Sequence, residues 1–318
     1  MKNDRGSGLK MTKQYDVIVI GAGPGGMTAA LYASRANLSV LMLERGSYGG
    51  QMNNTAEVEN YTGFKTILGP ELSEEMYQSA TQFGAEYAYG MVESVTVQED
   101  GTKIVKTDSA EFETKALVIA TGSEYRKLGI PGEAEYSGRG VSYCAICDGA
   151  FFRNKKLAVI GGGDSAVEEG AYLTQLAESV TIIHRRDELR AQKILQDRAF
   201  ANDKIEFMWD TVATEIVGDG QKVIGLKLYN KKTEVTTELP FDGVFIYVGS
   251  VPLSKPFLDL GITDENGWVL TNDKMETNIP GVYAIGDVRL KDLRQITTAV
   301  GDGAIAGQEA YKYLESLK

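Results

Sequence analysis

The stretch YDVIVIGAGPGGMTAALYASRANLSVLMLERG, residues 15–46, decides the fold. It opens with an apolar, β-branched run at residues 17–20, which predicts a buried strand. After a glycine-rich turn, the pattern of residues 27–36 predicts a helix, and a second apolar run at 40–43 predicts another strand. Strand, tight turn, helix and strand form a βαβ unit, so we expect an α/β fold.

The turn of this unit has the features of a dinucleotide site. Gly21, Gly23 and Gly26 allow a tight turn and let the backbone approach a pyrophosphate, whose charge would lie against the N-terminus of the helix. Glu44 lies 23 residues after Gly21, where a carboxylate can accept hydrogen bonds from ribose hydroxyls. The unit therefore suits an unphosphorylated adenosine ribose, as in FAD or NAD.

The same pattern returns in KLAVIGGGDSAVEEGAYLTQLAESVTIIHRR, residues 156–186. Gly161 and Gly163 make the turn, and Ala166 takes the third position, where a small residue lets the helix pack on the strand. A chain of 318 residues exceeds the usual size of one hydrophobic core, so we expect about two domains, each with its own unit.

The second unit differs from the first where its second strand ends. Counting 23 residues from Gly161 reaches His184, and Arg185 and Arg186 follow it. A carboxylate at this position would repel a 2′-phosphate, whereas arginines bind one bidentately, so the second site suits NADP. Arg190, one turn further on, is a further candidate for the phosphate or else a solvated surface residue, and His184 could alternatively serve only in packing.

Charge and hydropathy narrow the classes of partner. The net charge is −11 and the only basic cluster is HRRDELR, so we expect neither nucleic acid nor an anionic membrane as a partner. No apolar run approaches the roughly 20 residues that cross a bilayer. The beginning of the chain, MKNDRGSGLK, lacks the apolar core of a signal peptide, so we expect a polar leader at residues 1–14 and a cytoplasmic protein.

Both cysteines of the chain, Cys144 and Cys147, lie in GVSYCAICDGAFF, residues 140–152. A structural disulfide is not expected in a reducing cytoplasm, so Cys-x-x-Cys indicates metal binding or redox chemistry. A structural zinc takes four ligands, and the chain offers only two cysteines and one histidine, so no metal site is predicted. Redox chemistry is favoured over the alternative of two small buried apolar residues.

A third segment, near the C-terminus, bears on a flavin. Residues 282–285 predict a strand that ends at Gly286 and Asp287, and residues 295–313 predict a helix. An aspartate after a strand can hold a ribityl hydroxyl, and the N-terminus of a helix can face the electron-rich end of an isoalloxazine ring. Gly286 and Asp287 alone are a weak signal for a flavin site, and they count only together with the other segments.

Together these segments resemble the low-molecular-weight, bacterial-type thioredoxin reductases of the pyridine nucleotide–disulfide oxidoreductase family. The resemblance runs from residue 15 to the end of the chain. It is carried by the motifs GAGPGG, GGQMNNTAEVENY, ALVIATGSEYR, CAICDGAFFRN, VIGGGDSAVEE, HRRDELRA and AIGDVRLKDLRQI.

The resemblance implies two Rossmann-like dinucleotide-binding domains of three-layer ββα type, with the NADPH domain inserted into the FAD domain. We expect the FAD domain at residues 15–122 and 249–318, and the NADPH domain, which carries the dithiol, at residues 123–248. The chain would cross between them near residues 120–126 and 247–252, where each glycine-containing segment follows an apolar strand.

The resemblance also implies a catalytic cycle. NADPH would reduce FAD, and the reduced flavin would open the Cys144–Cys147 disulfide. Cys147 would face the flavin, Cys144 would attack the disulfide of thioredoxin, and Asp148 would act as general acid–base. Because nicotinamide and dithiol lie on one domain and share one flavin, the domain orientation would alternate. The alternative role for Asp148 is a turn residue before Gly149.

Further contacts are carried over from matching motif positions. For FAD these are Pro24, Gln51, Asn60, Gly286, Asp287 and Gln295, and for the second nucleotide they include Asp164 and Ser165 at the start of the helix. Phe151 and Phe152 are candidates for docking thioredoxin, although Ala150 displaces the pair by one position from the family pattern. The family also implies a homodimer.

Other functions are weighed against this one. A dithiol oxidase or a ferredoxin-driven relative would have no need of Arg185 and Arg186, and the flavoprotein half of a peroxide-reducing system generally carries an N-terminal thioredoxin-like extension. A redox-sensing protein that holds FAD is the alternative from a different class. Asp148 beside the dithiol and the complete second nucleotide site favour an enzyme over a sensor.

Overall fold

The computed structural model describes residues 13–55 and 57–318. The predicted leader at 1–14 lies outside these residues except for Lys13 and Gln14, which begin the first strand.

The strands are, in chain order, β1 (Lys13–Ile20), β2 (Val40–Glu44), β3 (Glu57–Val58), β4 (Ile67–Leu68), β5 (Glu86–Tyr89), β6 (Val92–Val97), β7 (Lys103–Thr107), β8 (Glu111–Ile119), β9 (Ser123–Tyr125), β10 (Val141–Ser142), β11 (Lys156–Gly161), β12 (Ser179–Ile183), β13 (Ile205–Met208), β14 (Thr211–Gly218), β15 (Val223–Asn230), β16 (Val235–Pro240), β17 (Gly243–Tyr247), β18 (Ser250–Pro252) and β19 (Val282–Ala284). The α-helices are α1 (Pro24–Arg35), α2 (Gly69–Thr81), α3 (Ala145–Asp148), α4 (Asp164–Leu173), α5 (Lys193–Phe200) and α6 (Ile296–Ser316). Short 3-10 helices cover Gly50–Asn54, Gly149–Phe152, Lys255–Leu260 and Gly286–Val288.

The chain divides into two compact units. The first unit extends up to Ser123 and resumes at Pro252, and the second unit is Glu124–Val251. The chain thus leaves the first unit, builds the second, and returns. Strands β9 and β18 pair with each other where the chain crosses. The predicted α/β fold, with one unit inserted into the other, is confirmed.

A seven-stranded sheet in the order β5–β2–β1–β8–β7–β6 forms the first unit, with β19 paired to the second half of β8. Strands β5, β2, β1, β8 and β19 run parallel, whereas β6 and β7 join β8 as antiparallel neighbours. Helices α1 and α2 provide the crossovers from β1 to β2 and from β2 to β5. The register aligns Ile20 with Leu43 and with Ile119, so the carboxyl ends of these strands meet at one edge. Helices α1 and α6 approach closely, since a Cβ on Gly307 would lie 2.8 Å from the Ala29 carbonyl oxygen.

The second unit has three layers. Its central sheet, β10–β17–β11–β12–β13, is entirely parallel. One face packs on α4 through Val167 and Leu173, and the other packs on the antiparallel sheet β14–β15–β16 through Ile216 and Leu226. A sheet with apolar layers on both faces requires continuous apolar strands, which explains the runs that the sequence shows at β11 and β17.

Within residues 13–55 and 57–318, none of the helices is both long enough and apolar enough to cross a membrane.

Candidate functional site

The first dinucleotide turn joins β1 to α1 by backbone contact. Gly21 has φ +107°, which a side chain would disfavour, and a Cβ there would meet the backbone of Ala120. A Cβ on Gly26 would meet the carbonyl oxygen of Gly21. Only glycine therefore lets the helix begin against the strand end, and Pro24 then occupies the first helical position, where its fixed φ is favourable.

Glu44 is held at this turn from the end of β2. One oxygen of its carboxylate accepts the Ala22 N–H at 2.9 Å, and the other accepts the Gly46 N–H at 3.1 Å. These bonds fix the carboxylate beside the glycine turn, at the edge where the parallel strands end. It lies where a ribose hydroxyl of a dinucleotide bound at the turn could donate to it.

The C-terminal segment meets the same edge of the first sheet. Strand β19 ends one residue before Ile285, and Asp287 follows in a 3-10 helix. Burial raises the pKa of the Asp287 carboxyl, although Lys291 and Arg294 oppose the shift. Within the residues that the structure describes, no hydrogen bond acts on this carboxyl, and the buried hydroxyl of Thr121, two residues after the end of β8, has no partner. Such groups are the ones that a bound polyhydroxyl chain would satisfy.

Three further predicted residues take defined positions in the first unit. Asn60 donates its amide to the side-chain oxygen of Gln295 at 3.1 Å, which joins positions 235 residues apart. Gln295 is the N-cap of α6 and forms a capping box with Thr298. Gln51 lies in the 3-10 helix Gly50–Asn54, where its side-chain oxygen accepts from Asn54 at 3.2 Å.

The second turn repeats the geometry of the first. Gly161 has φ +155°, and a Cβ there would lie 2.7 Å from the Cβ of Ala166, so the helix again begins against the strand. Asp164, the first residue of α4, accepts the Gln192 N–H at 2.7 Å and its side-chain amide at 3.0 Å. Ser165 is exposed beside it.

Three exposed arginines surround the end of β12. Within the parts of the chain that the structure describes, Arg185, Arg186 and Arg190 form no ion pair with a carboxylate. His184, by contrast, is 4% exposed and packs over Gly162, with its Nε2 unpartnered. Burial, and then the charges of Arg190, Arg186 and Arg185, lower the pKa of His184. The three guanidinium groups are thus not committed to a carboxylate among the described residues, which leaves them available to an anion.

The two turns leave open space at one equivalent glycine. Gly23 and Gly163 both have extended backbone that any residue could adopt. No atom of the described residues lies within 4 Å of a Cβ built on either one. The protein itself therefore does not require glycine at these positions. A bound pyrophosphate that contacts the backbone does require it, so the residues of both turns fit a dinucleotide.

The cysteines form a disulfide, Cys144–Cys147, with their Cα atoms 5.3 Å apart. Cys144 precedes the single turn of α3 and Cys147 lies within it, and α3 follows β10 at the carboxyl edge of the same sheet as the second dinucleotide turn. Cys144 is the N-cap of α3, and its Sγ accepts the Cys147 N–H at 3.2 Å. A donor aimed at this sulfur would also stabilise a thiolate there.

Asp148 is buried beside the dithiol. Its carboxylate accepts a hydrogen bond from the Ser142 hydroxyl at 2.6 Å. Burial raises the pKa of Asp148, and the Ser142 hydrogen bond only partly opposes this. The carboxyl is therefore closer to holding a proton near neutral pH than a solvated aspartate is, as proton transfer to a thiolate requires.

The backbone N–H of Ala145, which follows Cys144, is held by two side chains from other elements. The Ala145 N–H donates to Glu169 Oε2 and to the Tyr247 hydroxyl, both at 2.8 Å, and Tyr247 donates to the same Glu169 oxygen at 2.5 Å. Burial raises the pKa of both side chains, most strongly that of Tyr247. Ser142, Glu169 and Tyr247 are not predicted from the sequence. Ser142 lies in the quoted stretch around the cysteines and Glu169 lies in the motif VIGGGDSAVEE, so position in a motif is the signal that each of these two offers.

The two phenylalanines after the dithiol differ in their surroundings. Phe151 is exposed, whereas the ring of Phe152 packs edge-on against Phe245 at 5.3 Å between centroids and would meet a Cβ on Gly243. Phe151 and the exposed Ile146 are thus the large apolar side chains offered to solvent next to the cysteines.

Two dinucleotide turns, one in each unit, and a dithiol beside the second define the class of protein: a two-nucleotide α/β oxidoreductase with a redox disulfide. Residues 15–303 match the family described as pyridine nucleotide-disulphide oxidoreductase. The chain belongs to this family.

Individual relatives agree over nearly the whole chain. A thioredoxin reductase of Listeria monocytogenes is 62% identical over 306 residues, which are 96% of this chain and 96% of the relative. The crystal structure of thioredoxin reductase from Streptococcus pyogenes is 59% identical, with a TM-score of 0.93 over 96% of this chain and 99% of that one. Thioredoxin reductase from Lactococcus lactis, titled as the FR conformation, is 58% identical and covers 95% of this chain and 99% of its own, with a TM-score of 0.66.

The open space at Gly163 gives a test of the nucleotide site. We expect Gly163→Ala to keep the fold, at a cost of no more than about 1 kcal/mol as an N-cap change, because its Cβ meets nothing. It should weaken binding of NADPH by about 10- to 100-fold, because a methyl group separates the helix N-terminus from the pyrophosphate. Calorimetric titration and thermal unfolding measure the two effects.

Gly162→Ala is the matched control, because its Cβ would strike the His184 ring and should lower the melting temperature. Undiminished NADPH affinity in Gly163→Ala would contradict the assignment of this turn.

Proposed function

We propose that this chain is an NADPH-dependent reductase of the thioredoxin disulfide, acting through bound FAD and the Cys144–Cys147 dithiol. The observation that carries the proposal is the Cys144–Cys147 disulfide beside a buried acid, at the sheet edge that also carries a dinucleotide turn. The relatives that match nearly the whole chain bear the name thioredoxin reductase, which supports the proposed substrate.

In this proposal FAD lies in the first unit. Gly21, Gly23 and Gly26, with Pro24 at the start of α1, receive the pyrophosphate, and Glu44 accepts from the adenosine ribose. The unpartnered Asp287 after Gly286 accepts from the ribityl chain, and α6 begins at the flavin, with Gln295 at its N-cap. Gln51 and Asn60 complete the set from the neighbouring loop.

NADPH occupies the second unit. Its pyrophosphate lies at Gly161, Gly163 and the first turn of α4, where Asp164, Ser165 and Ala166 begin the helix. Arg185 and Arg186, with Arg190 beside them, receive the 2′-phosphate, and their lack of carboxylate partners among the described residues supports this role. His184 packs beneath them and lines the adenosine end of the site.

Bound FAD would supply the chemistry that links the nucleotide to the cysteines, because a flavin can take up a hydride and pass on two electrons. With two protons, these electrons convert Cys144 and Cys147 into a dithiol. The Cys144 thiolate, stabilised by the Cys147 N–H, attacks one sulfur of the thioredoxin disulfide and forms a mixed disulfide. The Cys147 thiolate then attacks Cys144 Sγ, which releases reduced thioredoxin and restores the Cys144–Cys147 bond.

Asp148 handles the protons of these exchanges. Its buried carboxyl, held by Ser142, lies directly after Cys147 in the chain. It gives a proton to a departing thiolate and takes one from an attacking thiol. The raised pKa of Asp148 brings its proton affinity closer to that of a thiol, which general acid–base catalysis favours.

The nicotinamide and the dithiol belong to one unit and serve one flavin, so we propose that the orientation of the units alternates between half-reactions. Two relatives of nearly equal identity to this chain match it with TM-scores of 0.93 and 0.66, the second titled as the FR conformation, which supports such a change. We further propose a homodimer that works in the cytoplasm, where NADPH and thioredoxin are available to a dithiol enzyme.

The order of the cysteines can be tested by trapping. In Cys147→Ser the proposed attacking thiol of Cys144 remains, and the thiol that would resolve the adduct is gone. The probe is a thioredoxin whose second active-site cysteine is replaced by serine and whose remaining cysteine carries thionitrobenzoate in a mixed disulfide. Cys144 should attack this cysteine, expel thionitrobenzoate and form a stable mixed disulfide with thioredoxin. Cys144→Ser is the matched control and should form about tenfold less. Mass spectrometry measures the amount of adduct that each variant forms. Adduct formation by Cys144→Ser alone would show that Cys147, not Cys144, attacks thioredoxin.

Nucleotide preference tests the second site. We expect Arg185→Ala with Arg186→Ala to raise KM for NADPH about 10- to 100-fold, because charge-assisted bonds to the 2′-phosphate are lost, and to leave KM for NADH unchanged. Steady-state thioredoxin reduction measures both constants. Arg198→Ala, which removes an exposed arginine of the same unit, is the control. Equal losses with both nucleotides would contradict the phosphate role.

The pH profile tests Asp148. A carboxyl that donates a proton loses activity as the pH rises through its pKa. Ser142 lowers that pKa, so Ser142→Ala should move the falling limb of kcat upward by about one pH unit. Asp148→Asn should lower kcat by about 10²-fold or more and remove the limb. Ser137→Ala, at an exposed serine, is the control; an unmoved limb in Ser142→Ala would exclude Asp148 as its origin.

A further inference from the structure

Both residues that flank Cys144 are fixed by side chains outside the dithiol motif. On one side, the Tyr143 hydroxyl donates to the buried carboxylate of Glu133 at 2.8 Å, and its ring stacks on Tyr125 with 5.4 Å between centroids. The Lys127 ammonium lies 3.8 Å from the centre of the same ring. The chain that enters Cys144 is therefore held in one place.

On the other side of Cys144, the backbone N–H of Ala145 is fixed by two hydrogen bonds. Ala145 is fully buried, and its N–H has two acceptors, Glu169 Oε2 and the Tyr247 hydroxyl. The two acceptors are themselves joined by the Tyr247 O–H. Glu169 comes from α4 and Tyr247 is the last residue of β17, so two separate elements converge on one peptide of the dithiol. The catalytic steps above make no use of either side chain.

We propose that Glu169 and Tyr247 are positioning residues for Cys144: by holding the Ala145 N–H they keep Cys144 Sγ in reach of Cys147 Sγ and so favour the disulfide over the dithiol. The inference rests on the proposed redox role of the two cysteines. Glu169 and Tyr247 would thus contribute to the equilibrium between the disulfide and dithiol forms of Cys144 and Cys147.

The physical reason is the cost of closing the disulfide. A thiol on a fixed peptide has a higher effective concentration at its partner than a thiol on a mobile one, since less conformational freedom is lost when the bond forms. The Cys147 N–H already directs Cys144 Sγ from within α3, and the Ala145 anchor fixes the peptide that carries it. Without an acceptor, this buried N–H would be unsatisfied and the peptide would shift to find another partner.

The test compares variants at residue 169. Glu169→Ala removes one of the two acceptors of the Ala145 N–H and also the carboxylate that holds the other acceptor, the Tyr247 hydroxyl. Glu169→Gln keeps a carbonyl oxygen for the Ala145 N–H and removes only the charge. Glu178→Gln, at an exposed glutamate of the same unit, is the control. Each full-length, flavin-bound protein is equilibrated with mixtures of reduced and oxidised dithiothreitol at fixed pH and trapped with N-ethylmaleimide. The chain has only two cysteines, so the number of labels found by mass spectrometry gives the dithiol fraction directly.

We expect Glu169→Ala to shift the equilibrium constant toward the dithiol about tenfold, which is about 30 mV for two electrons, and Glu169→Gln and Glu178→Gln to stay within about twofold of the wild type. An unshifted Glu169→Ala would overturn the proposal, and so would a shift in Glu169→Gln as large as in Glu169→Ala, since the charge and not the anchor would then be responsible. General loss of stability would lower the melting temperature without moving this equilibrium.

A second variant tests the proposal in case Glu169→Ala does not fold. Tyr247→Phe keeps the ring and removes one of the two acceptors, and we expect a shift of about threefold in the same direction, with Tyr229→Phe as its control. No shift in Tyr247→Phe would count against the pair. Because the measurement uses neither NADPH nor thioredoxin, its outcome is independent of whether thioredoxin is the substrate.

Discussion

The close approach of a helix N-terminus to the strand before it is the constraint on which both units depend. In the first unit a Cβ at residue 26 would meet the Gly21 carbonyl, and in the second Ala166 leaves just enough room beside Gly161. This contact aims backbone N–H groups of each helix at the carboxyl edge of its sheet. The other functional groups follow from it, because parallel strands bring their ends to that same edge.

Two buried carboxyls near the dithiol have different functions because their neighbours differ. Asp148 receives a single hydrogen bond, from Ser142, and remains able to exchange a proton. Glu169 receives two, from Tyr247 and from the backbone of Ala145, and is committed to holding the chain. Burial raises the pKa of both groups, so the pKa direction alone does not separate the two functions. The hydrogen-bond partners do.

Local sequence predicts what local physics determines. The glycine turns, the apolar strands and the acid or arginines after them were predictable because each depends on residues within one βαβ unit. The predicted start of the first helix, residue 27, is three residues late, since Pro24 favours the first helical position. The strands predicted at 40–43 and 282–285 end within one residue of β2 and β19, whereas β1 begins at Lys13, before the predicted run at 17–20.

Contacts between residues far apart in the sequence could not be predicted from local patterns. Ala145 and Tyr247 are 102 residues apart, and Asn60 and Gln295 are 235 apart. No periodicity links such pairs, so the anchor of the dithiol became visible only in the folded chain. Phe152 is a further example. The sequence makes it a candidate for a docking surface, but in the folded chain its ring packs against Phe245.

We propose that electrons pass from NADPH through a flavin to the Cys144–Cys147 dithiol and then to thioredoxin. The most direct measurement mixes the flavin-bound protein, without oxygen, with one equivalent of NADPH or NADH, follows the flavin absorption band, and then adds oxidised thioredoxin. We expect rapid bleaching of the flavin band by NADPH but not by NADH, and return of the band when thioredoxin is added. A band that NADPH leaves unchanged, or one that stays bleached in the presence of thioredoxin, would contradict it.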